Sequence, residues 1–190
     1  MAGRIRKGGA KLPRFFATTN KNKFREVSLV MKGRIKQISI DFIEPQSLDI
    51  DYVARFKAEY AYKAVGEAVL IEDTSLEIDA LNGLPGTLTK FFLERIKQKG
   101  ILELIKDSEN RDACAVTEFA LFDGKKFITA ISKLKGKISL SEHGNSYGWD
   151  TIFIPEGSTR TYAELGEREK VKYSMRTRAL KGIISKLEKY

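Results

Sequence analysis

The stretch RFFATTNKNKFREVSLVM, residues 14–31, shows how the chain begins to fold. Its first five residues, RFFAT, predict a short buried strand because most of them are apolar and two are aromatic. Asn20 then has the short polar side chain that favours the start of a helix, and we expect that helix to continue to about Met31. A strand that ends in small polar residues just before a helix is a typical unit of an α/β fold.

The chain continues with further alternation of predicted strands and helices. Residues 35–42 alternate as a strand would, and residues 68–71 (AVLI) form a short apolar run typical of a strand covered on both faces. Between them, residues 49–65 have apolar positions three and four apart, which predicts a helix. The inward face of this helix is predicted to consist of Val53, Phe56, Tyr60 and Ala64.

The middle of the chain changes character. Residues 72–86 are predicted to be mostly loop, since they end in the glycine- and proline-rich turn NGLPG. Two short helices are expected at about 87–97 and 100–107.

The second half adds antiparallel structure. Residues 113–122 and 126–134 predict two strands joined at Asp123-Gly124, a hairpin signal. A last helix is expected from Ser174. We therefore predict an α/β fold with a mixed sheet, formed by residues 14–190 as one domain. Residues 87–140 are expected to form a second lobe, with a cleft between the lobes.

The positive charge is concentrated at the N-terminus. The formal net charge is +9, and residues 1–14 contribute five positive and no negative side chains. These five residues are Arg4, Arg6, Lys7, Lys11 and Arg14. We predict a basic, flexible tail over residues 1–13. The basicity either serves solubility or attracts phosphate groups, and composition leaves both open.

Rare residue types exclude several classes of protein. Cys114 is the single cysteine and His143 the single histidine, which excludes an internal disulfide and a zinc site of the usual Cys/His kind. A bound metal must then be held by oxygen ligands, which favours Mg²⁺, Mn²⁺ or Ca²⁺. No apolar run reaches the roughly 18 residues of a membrane helix, and no secretory signal is evident. We expect a cytoplasmic protein without membrane partners.

The first strand–loop–helix unit is a candidate phosphate site. The start of a helix favours an anion through its backbone N–H groups and dipole, and Lys23 in the first turn adds a positive charge. The GxxxxGK[ST] pattern of a Walker P-loop is absent. The alternative interpretation is a capped helix with a surface lysine.

Carboxylates after two predicted strands are candidate metal ligands. Neighbouring residues on an extended chain point to opposite sides, so Glu72 and Asp73 are expected to have different roles. Glu44 follows the second strand, and together with Asp73 it would hold one Mg²⁺ that keeps several waters. The alternative is an acidic strand end that faces solvent.

Two further segments suggest recognition of a base. In YGWD, residues 147–150, an aromatic ring can stack on a base, and Asp150 can accept hydrogen bonds from ring N–H groups. Arg176, just after the helix cap expected at Ser174, can donate two hydrogen bonds to an oxo group or phosphate. The alternatives are core packing of the aromatic residues and a solvated basic helix face.

The order of these motifs resembles a known family. TTNKNK (18–23), EDTSL (72–76), ALNGLPG (80–86), YGWD (147–150) and SMRTRAL (174–180) are similar, in this order, to motifs of the Ham1-like inosine/xanthosine triphosphate pyrophosphatases. The resemblance covers about residues 14–187. It implies an elongated, two-lobed α/β fold with a long curved mixed sheet, flanking helices and the active site between the lobes. It also implies a homodimer.

The resemblance further implies an activity and the residues for it. The expected reaction is Mg²⁺-dependent hydrolysis of ITP, dITP and XTP to the monophosphate and pyrophosphate, with Mn²⁺ as a substitute. Asp73 matches the catalytic base, Glu44 and Asp73 match the metal ligands, and Lys23 and Lys170 would stabilise developing charge. The implied substrate-binding residues are Thr18, Thr19, Asn20, Lys21, Asn22, Lys23, Thr74, Tyr147, Gly148, Trp149, Asp150, Lys170, Met175 and Arg176.

One departure from the family pattern concerns specificity. Met175 stands where the family's S-H-R motif has histidine, and a thioether can only accept a weak hydrogen bond. We therefore predict weaker discrimination between inosine and adenosine. The alternative is that the family uses only the backbone here and that Met175 packs at the start of the last helix. Two smaller departures are Tyr147 in place of phenylalanine and Ser75 in place of glycine.

Two competing functions remain open from the sequence. One is a pyrophosphatase of Maf-like type that acts on other modified or standard nucleotides. The other is a basic nucleic-acid-binding module without enzymatic activity. Glu44, Glu72 and Asp73 argue against the second, because without a metal they would repel a phosphate backbone. Nucleic acid is therefore not an expected partner.

Overall fold

The computed structural model describes residues 12–189. The predicted tail, residues 1–13, lies almost wholly outside this range. Within it, Leu12 packs against the apolar core and Pro13 is buried.

The described residues form strands and helices in alternation at first, as predicted. The strands are β1 (Phe15–Ala17), β2 (Lys36–Ile38), β3 (Val69–Ile78), β4 (Pro85–Gly86), β5 (Asp112–Phe122), β6 (Phe127–Ile138) and β7 (Phe153–Pro155). The helices are α1 (Lys21–Val30), α2 (Ile50–Val65), α3 (Thr89–Arg95), α4 (Lys97–Leu104), α5 (Glu167–Tyr173) and α6 (Met175–Glu188). A short 3₁₀ helix, Asp79–Leu81, follows β3.

These strands form one mixed sheet in the order β2-β1-β3-β5-β6-β7, with β4 also paired to β3. β1 lies parallel to β2 and to β3, whereas the pairs β3–β5, β5–β6 and β6–β7 are antiparallel. This confirms the predicted mixed α/β sheet with an antiparallel extension. β5 pairs over its whole length with β6, from Asp112↔Lys137 to Phe122↔Phe127. The assignment of residues 87–140 to a second lobe stays a prediction.

Strand β3 corrects the predicted loop over residues 72–86. The strand continues to Ile78 because Ile71 to Ile78 pair residue by residue with β5. Leu76 and Ile78 are fully buried, so this segment is part of the apolar core. The loop was predicted wrongly because the glycine- and proline-rich turn begins only after this strand. Glu72 and Asp73 consequently lie in the middle of a strand rather than at its end.

The inward face of α2 also differs from the prediction. Val53 is buried as expected, but Phe56 and Tyr60 are only partly buried and Ala64 is exposed. The buried positions are Ile50, Val53, Ala54, Lys57, Ala58 and Ala61. Small residues dominate because three alanines let the helix approach the sheet closely, while the aromatic rings lie along its flanks.

Helices cover both faces of the sheet. On one face α1 and α6 pack around Phe16, Leu70 and Phe119. On the other face the alanines of α2 pack against Val69 and Ile71. A third apolar cluster contains Trp149 and surrounds the far end of β3, β5 and β6. Within the described range, no helix is long and apolar enough to cross a membrane.

The hairpin and the last helix begin as predicted. Asp123 accepts hydrogen bonds from the backbone N–H groups of Lys125 and Lys126, each at 2.9 Å, which fixes the turn between β5 and β6. Ser174 caps α6 by accepting from the N–H of Thr177 at 3.0 Å. Helix α5, just before this cap, was not predicted.

Candidate functional site

The candidate site lies where one edge of β3 has no neighbouring strand. β1 pairs with Val69 and Leu70, and β4 pairs with Leu76 and Glu77. Among residues 12–189, no strand pairs with this edge between Leu70 and Leu76. The side chains of the gap therefore open onto a cleft of about 1280 Å³, which reaches from the loop after β1 to the start of α6.

Glu72 faces α1 and α6. Its carboxylate is fully buried and lies 2.7 Å from Lys23 Nζ and 3.1 Å from Arg176 Nε. The hydroxyl of Thr74 donates to it at 2.6 Å. Burial opposes the charged form, but Arg176 and Lys23 outweigh burial and lower the pKa of Glu72 to about 2. Glu72 is therefore a structural anion that positions two cations.

Asp73 points to the opposite face of the sheet, toward α2, as expected for neighbours on a strand. Lys57 Nζ lies 3.4 Å from Asp73 Oδ2 and 3.2 Å from Glu44 Oε1. The N–H of Thr74 donates to Asp73 Oδ1 at 2.9 Å. Burial raises the pKa of Asp73 despite the attraction of Lys57 and Lys23. A carboxylate with a raised pKa is a stronger base, which suits proton abstraction from water.

Lys57 is a site residue that sequence reasoning missed. Burial opposes its charge, but Asp73 and Glu44 outweigh burial and raise the pKa of Lys57. A signal is present in the sequence, since Lys57 lies four residues after Val53, which was predicted to face inward. A buried lysine requires a charged partner.

Glu44 and Asp73 fit a divalent cation as a pair. Both carboxylates approach one point that is occupied by the Lys57 ammonium. Carboxylate oxygen is the ligand that Mg²⁺ prefers, and Mg²⁺ commonly uses one or two protein carboxylates together with waters and substrate phosphates. In the described part of the chain, no cluster of three or more His, Cys, Asp or Glu side chains could hold a metal alone.

Glu118 on β5 lies directly opposite Asp73 in the β3–β5 register and is 2% exposed. Burial and the neighbouring carboxylate of Asp51 raise the pKa of Glu118 to about 7. Arg55 forms an ion pair with Asp51 at 2.6 Å. The α2 face of the sheet therefore carries a second acidic group beside Asp73, which the sequence did not indicate.

The loop after β1 binds its own backbone N–H groups, which were predicted to be available for a phosphate. Asn20 Oδ1 accepts from the N–H groups of Asn22 and Lys23 at 2.9 and 3.1 Å, which confirms the predicted cap. Two N–H groups at the helix start are thus already bound, so the positive charge here comes mainly from the Lys23 side chain. Thr18, Thr19, Asn20, Asn22 and Lys23 line the cleft, whereas Lys21 does not.

The YGWD segment, residues 147–150, lies at the other end of the cleft. Trp149 is 8% exposed, and its ring packs edge-on against Phe153 with the ring centres 5.2 Å apart. Most of its surface is therefore buried in the apolar core. Tyr147 is 43% exposed and lines the cleft, where its ring face is available. Gly148 has φ +66°, which favours glycine at this position.

Asp150 and Lys170 form an ion pair at this end. Lys170 Nζ lies 3.1 Å from Asp150 Oδ2, and Ser146 Oγ donates to the same oxygen at 2.9 Å. The ammonium also lies 5.0 Å from the centre of the Tyr162 ring. Asp150 is thereby held with its carboxylate at the cleft wall.

Arg176 is fixed between two acids. Its Nε donates to Glu72, and its Nη1 lies 2.5 Å from Glu26 Oε2. Glu26 also accepts hydrogen bonds from the hydroxyls of Ser174 and Thr177. Glu26 was not predicted from the sequence, although it lies three residues after Lys23 and so on the same side of α1. Burial opposes the charge of Arg176, but the two carboxylates outweigh burial and raise its pKa.

Met175 lies at the base of this end of the cleft. Its side chain is 4% exposed and belongs to the apolar cluster that contains Trp149 and Phe153. Met175 also lines the cleft. The structure therefore gives it a packing role and leaves its effect on selectivity as a prediction.

The fold and the cleft define an α/β protein in which acids and lysines meet at an open edge of a mixed sheet, with aromatic side chains at the far end. Residues 14–186 match the sequence profile of the Ham1 family, so the chain belongs to that family. This confirms the resemblance drawn from the motifs.

Relatives of established name agree with this assignment. The chain is 37% identical to the dITP/XTP pyrophosphatase of Saccharolobus solfataricus, over 91% of this chain and 92% of the relative. It is 35% identical to the inosine triphosphate pyrophosphatase of Kluyveromyces lactis, over 86% and 90% of the two chains. A solved Ham1 protein from Coxiella burnetii has the same fold, with a TM-score of 0.84, 26% identity, and coverage of 95% and 100%.

Proposed function

We propose that this chain is a nucleoside triphosphate pyrophosphatase, a hydrolase that converts ITP, dITP and XTP to the monophosphate and pyrophosphate. Its relatives carry the names dITP/XTP pyrophosphatase and inosine triphosphate pyrophosphatase and match it over most of both chains. The reaction would remove deaminated purine nucleotides from the nucleotide pool.

One observation carries this proposal. At the open edge of β3, Glu72 and Asp73 face opposite sides, and each is held by different cations. Such an arrangement separates two tasks. Glu72 fixes the cationic side chains of Lys23 and Arg176, and Asp73 is left to act on the water and the phosphate. Hydrolysis of a phosphoric anhydride needs both charge neutralisation and an oriented water.

Asp73 is the proposed general base. It would orient and deprotonate the water that attacks the α-phosphorus, and its raised pKa suits that task. Lys23 and Lys57 would stabilise the negative charge that develops on the phosphate oxygens as pyrophosphate leaves. Lys170, at the base end, would help to hold the nucleotide.

We also propose that Glu44 and Asp73 hold Mg²⁺ when the nucleotide binds, with Mn²⁺ as a substitute. The bound cation would neutralise charge on the triphosphate. Support comes from the approach of both carboxylates to a single point, where Lys57 now supplies the positive charge. Substrate phosphates and waters would complete the ligand set.

Base selection is assigned to the other end of the cleft. Tyr147 offers a ring face for stacking, and Asp150 offers a carboxylate acceptor for a ring N–H. Arg176 has five N–H donors, so after donating to Glu26 and Glu72 it keeps donor capacity for a C6 oxo group. Adenine carries an amino group at C6, and facing two donors toward each other costs about 1–3 kcal/mol.

The test is a substrate panel with separate detection of pyrophosphate and orthophosphate. The panel consists of ITP, dITP, XTP, GTP, ATP and UTP, each measured with Mg²⁺, with Mn²⁺ and with EDTA. We expect pyrophosphate and monophosphate from the first three, and no turnover with EDTA. Release of orthophosphate, or equal rates for all six nucleotides, would favour another nucleotide hydrolase. Binding that weakens with salt, without turnover, would favour a nucleic-acid-binding module.

Two further properties belong to this proposal. We propose a homodimer on the basis of the family resemblance, to be measured by light scattering on the purified protein. We also place the activity in the cytoplasm, where nucleoside triphosphates are used. Fractionation of cells that express the tagged chain would test this location.

A further inference from the structure

A glutamine outside the predicted motifs holds the backbone of the YGWD segment. Gln98, in α4, donates a hydrogen bond from its side-chain Nε2 to the carbonyl of Gly148. It is partly buried and lines the same cleft as that segment. Across residues 12–189, this is the one hydrogen bond that joins the backbone of residues 144–148 to a helix or a strand. The position of the segment therefore depends on α4.

The corner between α3 and α4 fixes Gln98 at the wall of the cleft. Lys97, the first residue of α4, has φ +57°, a conformation that residues with a side chain rarely adopt. The following turn is closely packed, since a Cβ added at Gly100 would lie 2.4 Å from the Cβ of Ile96. Ile101 is fully buried in the apolar cluster that contains Trp149. Such packing maintains a strained backbone conformation, and strained residues are common at binding sites.

The bond from Gln98 acts on the part of the segment that carries Tyr147. Trp149 is already fixed by the apolar core, and Asp150 is held by its ion pair with Lys170 at 3.1 Å. Tyr147 is 43% exposed, and in the described range it forms no hydrogen bond of its own. The Gly148 carbonyl, one residue later, is therefore the nearest hydrogen-bonded point that limits the movement of the Tyr147 ring.

We infer that Gln98 is a positioning residue for base binding, which keeps the Tyr147 ring in place for stacking by holding the Gly148 carbonyl. This inference rests on the proposed pyrophosphatase function and on the stacking role proposed for Tyr147. A ring that is held before the nucleotide arrives loses less freedom on binding, which strengthens binding. Stacking accepts any base, so Gln98 strengthens the binding of every purine nucleotide, while Asp150 and Arg176 discriminate among them.

The test is Gln98→Met in the full-length protein, a change that keeps a long, unbranched side chain and removes the donor. We expect KM for ITP to rise about two- to tenfold, the value of one hydrogen bond. The kcat for ITP and the inhibition constant of inorganic pyrophosphate, which probes the phosphate end alone, should each change less than about twofold. Gln98→Lys supplies an N–H donor again and should return KM to within about twofold of the wild-type value. The matched control is Lys99→Met, since Lys99 is exposed on the same helix and does not line the cleft.

A double-mutant cycle distinguishes this positioning role from general support of the fold. In a Tyr147→Ala protein, Gln98→Met should change KM for ITP less than about 1.5-fold, because no ring is left to position. In the wild-type background, the ratio of kcat/KM values for ITP and GTP should change less than about twofold on Gln98→Met, since stacking does not discriminate between the two bases.

Four results would overturn the inference. The first is an unchanged KM in Gln98→Met, and the second is an equal rise of KM in Gln98→Lys or Lys99→Met. The third is a rise that persists when Tyr147 is alanine, which would show that Gln98 supports the cleft as a whole. The fourth is an inhibition constant of pyrophosphate that rises together with KM. Absence of ITP turnover in the folded wild type would instead reject the proposed function.

Discussion

Replacement of Asp73 by asparagine separates catalysis from stability at this site. The amide keeps the shape of the side chain and an oxygen that can accept from the N–H of Thr74, which is bound to Asp73 at 2.9 Å. It removes the negative charge beside Lys57 and the proton acceptor. A general base contributes at least about 100-fold, which corresponds to about 2.7 kcal/mol of transition-state stabilisation. We expect kcat for ITP to fall by at least this factor.

Stability should respond in a different way. Burial raises the pKa of Asp73, so the folded protein disfavours its charged form relative to the unfolded chain. Removing that charge also takes one carboxylate partner from the buried Lys57, which keeps Glu44 at 3.2 Å. The two effects oppose each other, so the free energy of unfolding is expected to change little. The assay combines kcat from pyrophosphate release with urea unfolding at pH 7. Asp107→Asn, at an exposed position after α4, is the matched control. A folded Asp73→Asn protein with near-normal kcat would refute the assignment of the base.

Three other predictions address base selectivity, the N-terminus and pH. Met175→His should raise the preference for ITP over ATP about two- to tenfold, which is the usual value of one hydrogen bond. The measurement is the ratio of kcat/KM values for the two nucleotides, and an unchanged ratio would mean that Met175 has only a packing role. Deletion of residues 1–11 should change KM for ITP by less than about threefold in steady-state assays, since every matched motif lies after residue 11. A larger rise in KM would show that the tail reaches the triphosphate. The pKa of Glu118 rises on folding to about 7, so stability should fall as pH increases from about 4.5 to 7. Glu118→Gln should reduce this fall by about 1–3 kcal/mol in urea titrations at the two pH values, and an unchanged pH dependence would contradict the assignment.

The local order of strands and helices could be predicted because it depends on short-range patterns. The cap at Asn20 and the hairpin turn at Asp123 follow from side chains that bond to the nearby backbone. The strand before Thr18 follows from its run of apolar and aromatic residues. The prediction failed where a distant strand decides the outcome. The length of β3 depends on its pairing with β5, which lies about 40 residues later and leaves no mark in the segment itself.

The family, the mixed α/β fold and most of the residues that line the candidate cleft were predicted from the chain alone. These follow from motifs whose residue types and order are visible along the chain, such as TTNKNK, EDTSL and YGWD. Which charges meet was not predictable from the sequence, because it depends on how distant elements pack. Lys57 between Glu44 and Asp73, Glu26 beside Arg176, and Glu118 opposite Asp73 each join distant elements. Their partners are set by sheet register and helix packing, and burial then strengthens the interaction of each charge with the nearest group.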